Sequence, residues 1–325
     1  MNGASMDYAR LLFDPQKGSV VLEPQGSGAG WWVGGASAAF DPTEGWYYLY
    51  YRLRKPRELG RGAECRIAHS RDGLHFTPVW RASREDFHTP SIEKGCLLRV
   101  DDNLWRLYIS YVDSEDNRWR TDVIEASRPD DFNPAKRQCV FRARDLGVEG
   151  VKDPVVIPWA GAFYGLFSYA AAPEGLASAD RARMHATADA YNTGLVRSLT
   201  GLAISEDGLS FRWIGTALAP REGAWDGYCA RISCVVRRDP VWVAFYDGSA
   251  RVEENYEERT GLAAGVSLDL FTSITPNGPI LVSPHASGAL RYLTLAEGPG
   301  RMLAYYEYAR QDGSHELRAS LLNWG

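Results

Sequence analysis

Carboxylates capable of acting in pairs are concentrated at a few places in this chain. Asp153 heads an apolar run in Lys152-Asp153-Pro154-Val155-Val156-Ile157, and Asp226 lies in Trp225-Asp226-Gly227-Tyr228. The run Glu253-Glu254-Asn255-Tyr256-Glu257-Glu258-Arg259 crowds four acids into one short stretch. Glu93 shares strand parity with Thr89 and would line the same channel more deeply. Mutual repulsion and partial burial raise at least one carboxyl pKa in such a group, leaving one acid protonated and another ionised, as general acid–base chemistry requires. The candidate catalytic set is therefore Asp153, Asp226, Glu93, Glu254 and Glu257. Each has an ordinary structural use as well: Asp226 can cap a turn, Glu93 can pair with Arg99 or another channel cation, and the acidic run can be a solvated loop.

Cations and aromatic groups form a second candidate set, for substrate binding. Arg231 and Arg291 open apolar strands, where a buried guanidinium normally answers a carboxylate or phosphate. They can neutralise Asp153 and Asp226, or read an anionic group on a substrate. Arg52, Tyr256, Trp32 and Trp225 join them, with Trp31, Trp32 and Trp225 suited to stacking on a ligand face. His88 and His285 complete the substrate-binding set; with His315 they fall near turns, with no His-x-x-x-His or similar spacing, so no metal site and no cofactor is expected. A Gly-rich phosphate loop and a Gly-x-Ser-x-Gly elbow are both missing, so nucleotide use and acyl transfer lose support.

The elements that must position these residues are strands. Ser70-Arg71-Asp72-Gly73-Leu74-His75-Phe76 and Ser205-Glu206-Asp207-Gly208-Leu209-Ser210-Phe211 are two copies of one cassette, with degraded copies at 127–132 and 267–271. Asp-Gly after a strand marks a tight turn, and the repeat interval of roughly 60 to 75 residues suits a four-stranded unit. Such units stack and close as a propeller. The pattern predicts an all-β fold, a single five-bladed β-propeller spanning 1–325. Its strands are placed at 35–40, 46–53, 65–69 and 76–81; 89–100, 105–112, 119–126 and 138–142; 153–159, 162–169, 201–205 and 211–216; 231–237, 241–247, 261–267 and 274–283; and 290–295, 302–308 and 315–322. The last blade lacks an outer strand, which 19–23 supplies, closing the ring without an exposed edge. Second-to-third connections share one face with the starts of the inner strands; the longest, 170–200, reads as a lid or helical insert.

Composition narrows the partners. A net charge of −5 without a basic stripe argues against nucleic acid, and no stretch is apolar enough to span a bilayer. Met1 to Arg10 lacks a signal-peptide profile, and the five cysteines have no paired spacing; a cytoplasmic protein is expected. The aromatic fraction of 12% suits packed sheets as much as a binding pocket, so it does not discriminate between them.

Three segments carry a family resemblance: Trp46-Tyr47-Tyr48-Leu49-Tyr50-Tyr51-Arg52, Arg66-Ile67-Ala68-His69-Ser70-Arg71-Asp72-Gly73 and Lys152-Asp153-Pro154-Val155-Val156-Ile157. They resemble the five-bladed β-propeller glycosidases: the arabinanase and xylosidase group, the invertase and fructosidase group, and the mannoside phosphorylases. The resemblance implies an axial pocket, a small carbohydrate or glycoside as substrate, and hydrolysis by a carboxylate pair. It also leaves open phosphorolysis, an anionic substrate, glycan binding without catalysis, and a specialised-metabolism enzyme. One departure stands out: where those families place an acid on the first inner strand, this chain reads Gly34-Gly35-Ala36-Ser37. Aligning inner strands on the Asp153-Pro154 step makes Gly35, Thr89, Asp153, Arg231 and Arg291 equivalent.

Overall fold

The structure, a computed structural model, describes residues 8–322. Strand β1 (Ser19–Leu22) comes first, followed by β2 (Trp32–Asp41), β3 (Trp46–Arg54), β4 (Gly62–Ser70) and β5 (Thr77–Ser83). Next are β6 (Ile92–Asp101), β7 (Leu104–Val112), β8 (Trp119–Ala126) and β9 (Gln138–Arg142), then β10 (Gly150–Trp159), β11 (Ala162–Ala171), β12 (Arg197–Ser205) and β13 (Arg212–Leu218). The last are β14 (Cys229–Arg238), β15 (Val241–Ser249), β16 (Arg259–Gly265), β17 (Thr272–Ser273), β18 (Leu290–Gly298), β19 (Arg301–Ala309) and β20 (His315–Leu322). Pairing is antiparallel within each consecutive group of four, and β1 pairs with β20, Ser19 opposite Ala319. The N-terminal strand thus completes the last unit, as the exposed-edge argument anticipates.

Second strands are buried on both faces, which explains their near-continuous apolar sequence. On β3, Tyr48 and Tyr50 pack against Leu107 and Ile109 of the second unit, while Tyr47, Leu49 and Tyr51 pack against Leu303 and Tyr305 of the last. Alternation at period two turns one strand into the wall of two cores. The Asp-Gly cassettes fold as expected. Ser70 Oγ donates to Asp72 Oδ1 at 2.8 Å, and Gly73, at φ 71°, donates its N–H to Ser70 Oγ; Ser205, Asp207 and Gly208 repeat this. Each turn is then held by another unit: Tyr305 of the last unit donates its O–H to Gly73 O and Tyr108 of the second to Gly208 O, both at 2.8 Å.

Two expectations need correction. The outer strand of the fourth unit is only Thr272–Ser273, not 274–283, because Pro276 and Pro279 have no N–H for a ladder. The second inner strand starts at Ile92 rather than Thr89. Pro90 interrupts that segment, and the Thr89 hydroxyl donates instead to the carbonyls of Ser91 and Val112. The connection 172–196 carries helix α1 (Ser178–Ala186), whose Met184 packs with Trp119 and Tyr191. No described helix is long and apolar enough to cross a membrane.

Candidate active site

Register places the inner-strand residues relative to one another. Ser37, Cys96, Val155, Cys234 and Thr294 lie opposite Tyr50, Tyr108, Leu166, Phe245 and Tyr305 of the second strands. Two residues earlier in each inner strand stand Gly35, Lys94, Asp153, Ile232 and Tyr292; one residue further back stand Gly34, Glu93, Lys152, Arg231 and Arg291. The pairing slips near these positions in every unit, and Gly35, Asp153 and Tyr292 take φ of 59°, 55° and 52°. Such bulges re-aim side chains at sheet ends. The sequence alignment is corrected accordingly: Lys94, not Thr89, is the counterpart of Asp153, and Arg231 and Arg291 match Lys152.

Carboxylates and cations interlock there. Arg231 Nη1 reaches Asp153 Oδ2 at 3.2 Å and its Nη2 reaches Asp247 Oδ2 at 3.0 Å and Glu258 Oε1 at 3.5 Å. Arg291 bonds Glu258 Oε2 and Glu307 Oε1, each at 2.7 Å. Arg52 Nε donates to Glu93, and its Nη2 lies 3.5 Å from Glu307 Oε2. Arg54 lies 3.8 Å from Glu93 and Lys152 3.2 Å from Asp153. The Tyr292 ring lies beneath the guanidinium groups of Arg52, Arg231 and Arg291, at 5.6, 4.2 and 4.9 Å. His315 bridges outward, with Nδ1 2.8 Å from Glu307 Oε1 and Nε2 3.0 Å from Glu257 Oε2. Five carboxyl groups face five cations, all buried. Arg52 Nη1, Asp153 Oδ1 and Glu258 Oε1 have no hydrogen-bond partner among the described residues.

This environment drives the acids apart. Burial opposes ionisation of Glu93 and Glu258, but the cations beside them prevail and hold both at about 2. Glu307 is held well below its usual range by Arg291 and Arg52 against the same burial. Asp247 goes the other way: burial, reinforced by Glu258 and only partly offset by Arg231, pushes it up to about 6. Burial acts to lower the His315 imidazole, yet its two glutamates raise it above its ordinary value.

Above the network lies a cavity of 430 Å³ walled by Trp32, Arg54, Tyr256 and Glu257. Trp32 stacks on His315 at 4.5 Å, and Arg54 sits 3.9 Å over the Tyr256 ring. Three connections meet at its rim: the buried Asp189 accepts from the Tyr256 hydroxyl and pairs with Arg61 at 3.0 Å and Arg57 at 3.4 Å.

Of the residues singled out from sequence, Asp153, Glu93, Arg52, Arg231 and Arg291 come together in the network, with Trp32, Tyr256 and Glu257 above it. Asp226 sits apart, held by Arg221 at 3.0 Å and by the Tyr246 hydroxyl at 2.8 Å. Trp225 stacks on Tyr246 beside it and donates to Thr275 O. Glu254 binds Arg259 and the Ala250 N–H. His88 and His285 are exposed. Glu93 pairs with Arg52 and Arg54; Arg99 binds Asp41 and Asp102 instead. Sequence reasoning missed Asp247, Glu307 and Lys152, and did not single out Glu258. Periodicity could have found two of them, since Arg52, Asp247 and Glu307 all stand two residues after the apolar centre of a second strand.

No protein-family model and no curated protein sequence matches this chain. Solved structures do. A thermostable family-43 glycoside hydrolase superposes with a TM-score of 0.63 at 12% identity, over 93% of this chain and 91% of its own. The β-1,2-mannobiose phosphorylase from Listeria innocua, in complex with β-1,2-mannobiose, gives 0.62 at 16% identity over 97% and 95%. RS223-β-xylosidase gives 0.62 at 12% over 95% and 96%. With its antiparallel four-stranded units and these neighbours, the chain has the fold of the propeller glycosidases.

Proposed function

We propose that residues 1–325 form one five-bladed propeller that acts on a small glycoside at the axial site. Closure is supported by the Tyr305 hydrogen bond to Gly73 and by the core shared between the first and last units. The observation that carries the functional reading is the split in acidity under an aromatic-walled cavity. Asp247, at about 6, can deliver a proton near neutral pH, whereas Glu93 and Glu258 at about 2 remain ionised. In this reading a sugar ring enters against Trp32 and Tyr256, and Asp247 protonates the leaving oxygen. Asp153, whose Oδ1 is uncommitted, activates water or orients the substrate, and Glu257 contacts the substrate at the mouth.

One atom favours a second reading. Arg52 Nη1 is buried without a partner, a donor suited to an oxyanion, so transfer to inorganic phosphate is the alternative to water. A cytoplasmic setting fits five free thiols, four of them buried. A panel of nitrophenyl glycosides, assayed with and without phosphate, tests the proposal. Turnover that needs phosphate selects phosphorolysis. No turnover of any glycoside under either condition overturns the enzymatic reading in favour of a glycan-binding propeller.

A further inference from the structure

The axis has a second end. A cavity of 300 Å³ lies there, ringed by the equivalent residues of all five inner strands, Ser37, Cys96, Val155, Cys234 and Thr294, with Lys94 among its lining. No carboxylate lines it. Lys94 is 2% exposed, and among the described residues its ammonium makes one hydrogen bond, to Pro154 O at 3.0 Å, and no ion pair. Every cation in the network at the other end has a carboxylate within 4 Å.

A buried ammonium without a counter-charge is unfavourable; it must lose its proton or acquire an anion. Burial does push the Lys94 pKa down, with Asp153 and Asp247 opposing through space. The cavity also has hydrogens to offer. Ser37 Oγ accepts the Leu97 N–H at 2.9 Å and Cys96 Sγ accepts the Val156 N–H at 3.4 Å. The Ser37 hydroxyl also hydrogen-bonds the Cys96 sulfur, which leaves the Cys96 S–H and the Thr294 hydroxyl of the lining as donors for the cavity. We propose that this end of the axis binds a small monovalent anion of halide size, with Lys94 as its counter-charge and Cys96 and Thr294 as neutral donors. Because Lys94 holds the carbonyl next to Asp153, occupancy would also fix the backbone that carries that acid. The proposal does not depend on the glycoside reading.

Bromide serves as the probe, because it is located by anomalous diffraction. Crystals of the full chain grown or soaked in sodium bromide should show a bromide peak in contact with Lys94 Nζ. In solution, saturating bromide should raise the melting midpoint of the wild type by about 2–5 °C more than that of Lys94→Met, both referred to sodium gluconate at equal ionic strength. No bromide at Nζ, or an equal bromide response in the two proteins, overturns the proposal. If Lys94→Met does not fold, diffraction on the wild type decides alone.

Discussion

Replacing Glu258 by Gln tests whether the buried network is held by charge. The two side chains have nearly the same shape, so packing is kept while one negative charge is removed. Glu258 is fully buried and contacts Arg291 at 2.7 Å and Arg231 at 3.5 Å. Breaking a buried pair by removing one partner costs about 3–5 kcal/mol. Arg231 keeps Asp153 and Asp247, and Arg291 keeps Glu307, so the lower end applies. The lowered acidity gives the same scale: a carboxyl brought from 4.5 to about 2 by its guanidinium partners corresponds to stabilisation on the order of 3 kcal/mol. The sign follows from the lowered pKa. The contribution is complete above the unfolded value of 4.5 and is lost as pH falls toward about 2. Urea unfolding followed by tryptophan fluorescence at several pH values measures it. Glu258→Gln should be less stable by about 3 kcal/mol at pH 7, with the gap narrowing steadily below pH 4.5. A gap under about 1 kcal/mol at pH 7, or one that is constant with pH, would refute the electrostatic account.

If Asp247 supplies the proton, the rate on a responsive glycoside should fall as pH rises through about 6, and Asp247→Asn should lose on the order of 10²–10⁴-fold in kcat without that pH dependence. Gly73→Ala should lower stability by about 1–3 kcal/mol in chemical denaturation: the residue has φ 71°, and an added Cβ would lie 2.4 Å from Leu303 Cδ1. A neutral Gly73→Ala would disprove the role given to the cassette turn. Deleting residues 1–23 strips β1 from β20, so the truncated chain should melt earlier and self-associate in size-exclusion chromatography. A monomer with the wild-type midpoint would show that β1 does not seal that edge.

Local chemistry made much of the fold legible. Ser-x-Asp-Gly turns are built from hydrogen bonds two and three residues apart, so the sequence encodes them with no help from the rest of the chain. Strands buried on both faces are nearly continuous apolar runs, and a last unit with three strands needs a fourth, which β1 supplies. Pro276 and Pro279 carried the same kind of local signal, but the strand expected at 274–283 ran across them and is cut to Thr272–Ser273. What only the tertiary structure decided is which acids share cations. Arg231 meets Asp153 across 78 residues and Arg52 meets Glu307 across 255, contacts with no local signature. Asp226 lies within the acidic and aromatic setting that sequence reasoning favoured, yet Arg221 and Tyr246 occupy its carboxylate. Asp247 and Glu307 stand at strand positions that read as ordinary core until units distant in sequence pack together. A carboxyl group's protonation depends on burial and on the charges within a few ångströms, and both are fixed by the packing of units distant in sequence.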